Sequence, residues 1–164
     1  MSDITPFLWF DDRAEEAAEF YVSLFKNSKI ESVSRYGEAG PGKPGSAMVV
    51  EFQLNGQDFM ALNGGMPAGT DGQPPIALFA NCDTQDEVDM LWDELSEGGS
   101  KHQCGWLTDK FGLSWQIIPD GLLDCINGDD QEGSQRAMEA MFQMKKLDIN
   151  VLRKAYRGEL TQPV

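Results

Sequence analysis

The chain has 164 residues, 41% hydrophobic and 24% charged, the balance of a globular protein long enough to bury a core. Its formal net charge of -14 disfavours nucleic acid and anionic lipid as partners, because their phosphates would be repelled. It contains no apolar run of about 18 residues that would predict a membrane span, and its N-terminus lacks the pattern of a signal peptide. We therefore expect a cytoplasmic protein with no membrane or nucleic-acid partner.

The first segment, residues 4–10, is apolar and aromatic and predicts a buried strand. Asp12 and Glu15 have the spacing of a capping box, so a helix is expected to follow and to run to about Lys26. Apolar residues at helical spacing predict its buried face, namely Ala14, Ala17, Ala18, Tyr21, Leu24 and Phe25.

Residues 29–37 predict a second strand, and 37–45 (GEAGPGKPG) a loop. The glycines of this loop do not indicate a phosphate site, because two prolines interrupt them and a strand follows instead of a helix. Residues 46–62 predict a hairpin: apolar Val50 and Phe52 alternate with Glu51, and Asn55-Gly56 indicates a type I′ turn. The Gly/Pro-rich residues 64–75 then predict a connection.

The same order of signals then begins again. Residues 76–82 predict a strand, Thr84 and Glu87 form a second capping box, and a helical stripe ends at Gly98-Gly99. This recurrence predicts an α+β fold of duplicated β-α-β-β-β modules, with residues 4–65 as the first and 75–119 as the second. Residues 120–164 predict a helical C-terminal extension with Asp148 as an N-cap, and we expect 1–164 to be a single domain.

Five segments of the chain carry a resemblance to known proteins. They are TPFLWFDDRAEEAAEFY (5–21), FMALNGG (59–65), IALFANCDTQDEVDMLWDELSEGG (76–99), QCGWLTDKFGLSWQIIPD (103–120) and AMEAMFQMKKLDI (137–149). With these segments the chain resembles the vicinal oxygen chelate superfamily, which includes glyoxalase I, bleomycin-resistance proteins and extradiol dioxygenases. Within it the chain looks like the PhnB-like branch, whose members often carry the label 3-demethylubiquinone-9 3-methyltransferase. The resemblance implies half-barrel modules around a cleft and a homodimer.

The resemblance also implies where a metal would be held. The ligand positions of the metal-dependent relatives fall near Pro6, near Asn63, near residues 75–76 and at Gln116. Proline and isoleucine offer no side-chain ligand, and neutral amides are poor ligands for divalent transition metals. The three cysteines, at 82, 104 and 125, lack the CxxC spacing of a zinc site. We therefore expect no metal and no cofactor.

The inward side chains of the two modules are expected to line an inter-module cleft. Strand alternation, started from the ligand-equivalent positions, predicts a mostly apolar set of ligand-binding residues with a few amides and hydroxyls. An alternative left open is that the amides only satisfy buried backbone groups. The predicted set is Leu8, Phe10, Phe59, Asn63, Ser114 and Gln116.

Candidates for catalysis are weaker. Cys104 could act as a nucleophile if His102, two residues away, activated it, and Asp109 could transfer protons. Packing and turn roles are the favoured alternatives for these residues. No Gly-rich turn between a strand and a helix supports an S-adenosylmethionine site, so the methyltransferase label lacks support in the sequence.

Two functions follow from these expectations. The first is a glyoxalase/bleomycin-resistance-like protein that binds an unidentified small, largely apolar molecule without a catalytic metal. The alternative is a metal-free enzyme acting on a small metabolite.

Overall fold

A computed structural model describes residues 3–40, 42–66, 74–110 and 112–160. These residues form eight strands and five helices, which confirms a mixed α+β fold. The first elements are β1 (Asp3–Phe10), α1 (Ala14–Leu24), β2 (Lys29–Arg35), β3 (Ala47–Leu54) and β4 (Gln57–Asn63). The next are β5 (Ile76–Cys82), α2 (Gln85–Ser96), β6 (Ser100–Lys101), β7 (Trp106–Thr108) and β8 (Ser114–Pro119). The last are α3 (Leu122–Ile126), α4 (Gln131–Gln143) and α5 (Ile149–Tyr156).

The chain divides into two compact units. The first comprises residues 5–78, and the second comprises residues 79 onward together with the N-terminal residues up to Ile4. None of the described helices is long and apolar enough to cross a membrane.

In the first unit the strands lie in the order β2-β3-β4-β1. β3 pairs antiparallel with β2 and β4, whereas β1 pairs parallel with β4. Asn55 and Gly56 have φ angles of 52° and 79°, as a type I′ turn requires, so the predicted hairpin is confirmed. Helix α1 covers one face of this sheet, where its buried alanines pack against the apolar residues Ala47, Val50, Phe52 and Ala61.

Two expectations for α1 are wrong. The helix begins at Ala14 with Arg13 as its N-cap residue, and the orphan amide of Ala14 is satisfied by the side chain of Asn63 from β4. A distant residue therefore supplies the acceptor that the Asp12–Glu15 box was expected to supply. The predicted apolar face is also too wide, because Leu24 and Phe25 are exposed and the helix ends at Leu24.

The loop after β2 packs on Tyr36, whose ring lies between Gly40 and Gly42. Tyr36 is buried and its hydroxyl donates a hydrogen bond to the backbone oxygen of Asn63. Burial raises the pKa of this phenol. The glycines are therefore needed for close packing, and the described part of the segment is a loop, as expected.

In the second unit the strands lie in the order β5-β8-β7-β6. Helix α2 packs Val88 and Trp92 against Leu107 of β7 and Ile117 of β8. The predicted cap of α2 is confirmed, because the Thr84 hydroxyl accepts the amide of Glu87 at 3.2 Å. The Glu87 carboxylate reaches back to the amide of Asp83.

The C-terminal extension is helical, as predicted. Asp148 caps α5 by accepting the amides of Asn150 and Val151. Arg136 of α4 donates to the backbone oxygens of Ala155 and Tyr156, which ties α4 to the end of α5. Apolar residues of these two helices pack inward, with Ala137, Met138, Leu152 and Ala155 buried.

Candidate functional site

The first unit contains a cavity of about 320 Å³ on the face of its sheet opposite α1. Glu51 pairs with Met60, and Gln53 with Asp58, across β3 and β4. The intervening pair, Phe52 and Phe59, belongs to the core under α1, so the alternation of the strands directs the first two pairs to the other face. The residues lining the cavity are Thr5, Glu31, Glu51, Phe52, Gln53, Asp58, Phe59 and Met60.

Three carboxylates line the cavity and make it negatively charged. Each has one neighbour that holds it in place. Glu51 accepts a hydrogen bond from the Ser32 hydroxyl at 2.7 Å, and Asp58 accepts one from the Gln53 amide at 2.6 Å. Glu31 forms an ion pair with Lys29 at 2.6 Å. A carboxylate can accept several hydrogen bonds, so these oriented groups retain acceptor capacity for a ligand.

Sequence reasoning missed these carboxylates. The signal was present, because Glu51 and Gln53 alternate with Val50 and Phe52 in the predicted hairpin. The alternation was used only to predict the hairpin, whereas the structure gathers Glu51 and Gln53 around a cavity.

Four of the predicted ligand-binding residues lie on the opposite face of the same sheet. Leu8, Phe10 and Phe59 pack against the core cluster that includes Ala14 and Ala18 of α1. Phe59 also stacks on Phe52, with ring centroids 5.6 Å apart. The prediction took Phe59 from the position of Asn63, and Leu8 and Phe10 from that of Pro6, and both starting points selected the helix-covered face. Phe59 is also among the residues that line the cavity, whereas Leu8 and Phe10 are not.

Asn63 has a structural role in this unit. Its side chain is buried, with Oδ1 accepting the amide of Ala14 at 2.8 Å and Nδ2 donating to the backbone oxygen of Ala47 at 3.0 Å. Both ends of the amide are therefore bonded to the backbone. This is the arrangement of the alternative in which the predicted amides satisfy buried backbone groups.

In the second unit the predicted residues Ser114 and Gln116 lie on one face of β8. Trp115 and Ile117 belong to the core with α2, so Ser114 and Gln116 face the other side of the sheet. Gln116 is half-buried and donates from Nε2 to the backbone oxygen of Cys104 at 3.1 Å. The structure therefore brings Gln116 and Cys104 together.

Cys104 occupies a strained turn. It has a φ of 58°, and its Sγ contacts the backbone oxygen of Met141 at 3.6 Å. Burial raises the pKa of its thiol to about 11, so the thiol stays protonated at neutral pH. His102 bonds through Nε2 to the Thr108 hydroxyl at 3.1 Å, and none of its described contacts is with Cys104.

Asp109 organises the turn between β7 and β8. Its carboxylate accepts the amide of Leu113 and the indole Nε1–H of Trp115, each at 3.0 Å. Two further backbone bonds, from Asp109 to Leu113 and from Gly112 to Asp109, close the same turn. This is the turn role that was favoured for Asp109 over proton transfer.

Residues 2–118 match the family model of 3-demethylubiquinone-9 3-methyltransferase. The chain belongs to this family. It is 39% identical to a PhnB protein from Bacillus cereus over 70% of this chain and 97% of that one, with a TM-score of 0.37. A protein from Staphylococcus aureus of known crystal structure is 33% identical over 71% of this chain and 96% of its own, with a TM-score of 0.56. No curated protein matches the chain.

The match to the PhnB-like family ends at residue 118, so helices α3 to α5 lie beyond it. This extension is fastened to the family region of the second unit. Met144 and Lys145 accept the backbone amides of Cys104 and Gly105 at 2.8 and 2.7 Å. On α2, Gln85 donates to the oxygen of Leu147 and accepts the amide of Ile149, each at 3.0 Å.

The positions at which the superfamily resemblance implies metal ligands carry neutral side chains in this chain. Asn63 uses both ends of its amide on the backbone, and Gln116 donates to a carbonyl. Pro6 and Ile76 have no ligand atom in their side chains. Within the described ranges, no three His, Cys, Asp or Glu side chains come close enough to hold an ion.

Proposed function

We propose that this chain is a small-molecule-binding protein of the PhnB-like family that works without a catalytic metal. The observation that carries the proposal is the cavity of about 320 Å³ in the first unit. This volume lies at the lower end of the range for small-molecule sites, roughly 300–1,000 Å³. We also propose that the family's fold is that of the vicinal oxygen chelate superfamily, since each half of the chain runs strand, helix and three strands.

The walls of the cavity indicate the class of ligand. The lining includes the apolar residues Phe52, Phe59 and Met60, of which Phe59 is the partly exposed one, whereas Glu31, Glu51 and Asp58 supply negative charge. A wholly apolar ligand would desolvate these carboxylates without replacing their hydrogen bonds, at a cost in free energy. We therefore propose a ligand with an apolar body and a protonated amine. This class of ligand is narrower than the largely apolar molecule expected from the sequence.

Gln116 contributes to the proposal in the second unit. Because its Nε2 is held by the Cys104 oxygen, its Oε1 is the atom left to meet a ligand. Ser114 faces the same side and can donate or accept. A ligand on this face would therefore meet an acceptor at Gln116, which again favours a donor group.

The experiment is a paired screen by calorimetry and thermal shift. Aryl and alkyl amines are compared with the alcohols of the same carbon skeleton, with and without a chelator. We expect amines to bind and alcohols to bind far more weakly, with no effect of the chelator. Glu51→Gln should weaken amine binding, whereas the control Glu94→Gln, on the exposed side of α2, should not.

Three results would refute parts of the proposal. Equal binding of amine and alcohol would show that the carboxylates do not select the ligand. Amine binding that Glu51→Gln leaves unchanged would place the ligand elsewhere. Stoichiometric bound metal in the purified protein, with binding lost on chelation, would contradict the metal-free mode of action.

A further inference from the structure

Two carboxylates of the cavity in the first unit are diagonal neighbours on one face of the sheet. Lys29 of β2 is paired with Gln53 of β3, which is paired in turn with Asp58 of β4. On the same face of β3, Glu51 is paired with Ser32 of β2. Glu51 therefore lies one pair along from Asp58, and diagonal neighbours of this kind are roughly 7–8 Å apart. Carboxylates at this separation can each bind a different group of one small ligand.

A bulge in β2 brings a third carboxylate to the same cavity. The pairing of β2 with β3 shifts between Ile30 and Ser32, so Glu31 is the extra residue of the bulge. Regular alternation would direct one of the consecutive residues Glu31 and Ser32 to the face under α1, and a bulge changes that direction. Here both residues serve the cavity, because Glu31 lines it and the Ser32 hydroxyl donates to Glu51 at 2.7 Å.

The three carboxylates differ in whether a cation of the chain balances their charge. The Lys29 ammonium lies 2.6 Å from the Glu31 carboxylate and balances it. The groups bonded to the other two carboxylates are a hydroxyl and an amide, which orient them without cancelling their charge. In the part of the chain that the structure describes, neither Glu51 nor Asp58 takes part in an ion pair. The cavity therefore presents two uncompensated negative charges beside each other.

We infer that the ligand of this cavity carries two protonated amines, one bound by Glu51 and one by Asp58, joined by an apolar spacer. Phe59, which is partly exposed and lines the cavity, supplies apolar contact for the spacer. Lys29 sets the number of amines, because its own ammonium already occupies Glu31 and leaves two carboxylates for the ligand. This inference rests on the proposed function, since it narrows the amine expected in the same cavity.

The first experiment compares amines of equal carbon number by isothermal titration calorimetry of the full chain. The probes are diaminobutane, diaminopentane and diaminohexane, each with an amine at both ends, and the corresponding monoamines. We expect each diamine to bind about tenfold more tightly than its monoamine, because it forms one more charge-assisted hydrogen bond. The advantage should shrink as the salt concentration rises, since partly exposed charges are screened.

Variants of the two carboxylates test the assignment of the two amines. Glu51→Gln and Asp58→Asn each remove one negative charge and keep the shape of the side chain. In each variant the diamine should lose about tenfold in affinity, and its advantage over the monoamine should disappear.

A variant of Lys29 tests what sets the number of amines. Lys29→Gln frees Glu31 for the ligand, so a linear triamine, bis(aminopropyl)amine, should gain on the diamine. The ratio of triamine to diamine affinity should rise up to about fivefold, the contribution of one exposed ion pair. Lys43→Gln is the matched control, because Lys43 is exposed in the loop that follows the other end of β2 and its loss changes the net charge equally. It should leave the ratio unchanged.

The possible failures of the two proposals are distinguishable. Equal affinity of diamine and monoamine would overturn this inference and leave the amine-binding function in place, whereas no binding of any amine would refute that function and the inference with it. A diamine advantage that survives both Glu51→Gln and Asp58→Asn would show that the second amine binds elsewhere. An unchanged ratio of triamine to diamine affinity in Lys29→Gln would refute the role of Lys29. Circular dichroism of each variant confirms that lost binding is not lost folding.

Discussion

Gln116 of β8 donates its side-chain Nε2–H to the carbonyl oxygen of Cys104 at 3.1 Å. A carbonyl oxygen can only accept, so this bond fixes which end of the Gln116 amide faces the turn. The turn itself needs support, because Cys104 and Gly105 both have positive φ angles, 58° and 78°. At Gly105 any side chain would also collide with the backbone oxygen of Ile117, which lies 2.6 Å from the position a Cβ would take.

Replacing Gln116 with Glu should destabilise the protein at neutral pH. The carboxylate has no proton to donate and would face the Cys104 oxygen, so we expect a loss of about 1–3 kcal/mol in the free energy of unfolding. Urea denaturation measures the loss, with the exposed Gln57→Glu as the control. The deficit should shrink below about pH 4, where a protonated carboxyl can donate again. A deficit independent of pH would contradict this account.

Replacing Asn63 with Ala should lower the free energy of unfolding more than Gln116→Glu does. The buried amide of Ala14 and the oxygen of Ala47 would both lose their partner, at a cost of about 2–4 kcal/mol in total. Chemical denaturation of this variant is compared with that of Asn150→Ala, whose side chain is exposed in α5. Equal stability of the two variants would show that the Asn63 bonds contribute nothing.

Replacing Gln85 with Ala should loosen the C-terminal extension while leaving the family region folded. The two bonds from Gln85 to Leu147 and Ile149 would be lost, which we expect to cost about 1–2 kcal/mol locally. Hydrogen exchange of the Ile149 amide and of the Cys104 amide, which bonds to Met144, reports the loosening. Gln131→Ala, at the exposed start of α4, is the control and should leave both amides protected.

The titration of the Cys104 thiol should lower the free energy of unfolding in alkaline solution. Its pKa rises from an ordinary value of 9.0 to about 11 on burial, so the folded state holds the thiol proton more tightly than the unfolded state. This contribution to stability is complete below the unfolded pKa and is lost as the pH rises through the interval between the two values. Cys104→Ser lacks the titration, so the stability of the wild type relative to this variant should fall across that interval. A constant difference would show that the thiol is not buried as described.

Much of the fold could be predicted because its signals are local. The Asn55-Gly56 turn, the Thr84 cap and the Asp148 cap each depend on residues within a few positions of one another, and all three are confirmed. The Asp12–Glu15 box has the same pattern and fails. There a residue 49 positions away from Ala14 supplies the acceptor, and local spacing cannot detect it.

The candidate site was less predictable. Side chains alternate between the two faces of a strand, but the alternation alone does not show which face a helix covers. In β4 both sets are largely apolar, with Phe59 and Ala61 on one face and Met60 and Leu62 on the other. Choosing Asn63 as a cleft residue selected the face under α1. In β8 the two sets differ in polarity, and there Trp115 and Ile117 pack with α2, leaving Ser114 and Gln116 on the opposite face.

The amino-acid sequence by itself determined the order of strands and helices, the hairpin turn, two of the helix caps and the resemblance to the PhnB-like family. Each of these depends on side chains that act on their near neighbours or on a motif that can be read along the chain. Only the tertiary structure decided which face α1 covers, that Asn63 caps that helix, and that three carboxylates surround one cavity. Those relationships join residues far apart in the chain, and packing alone brings them together.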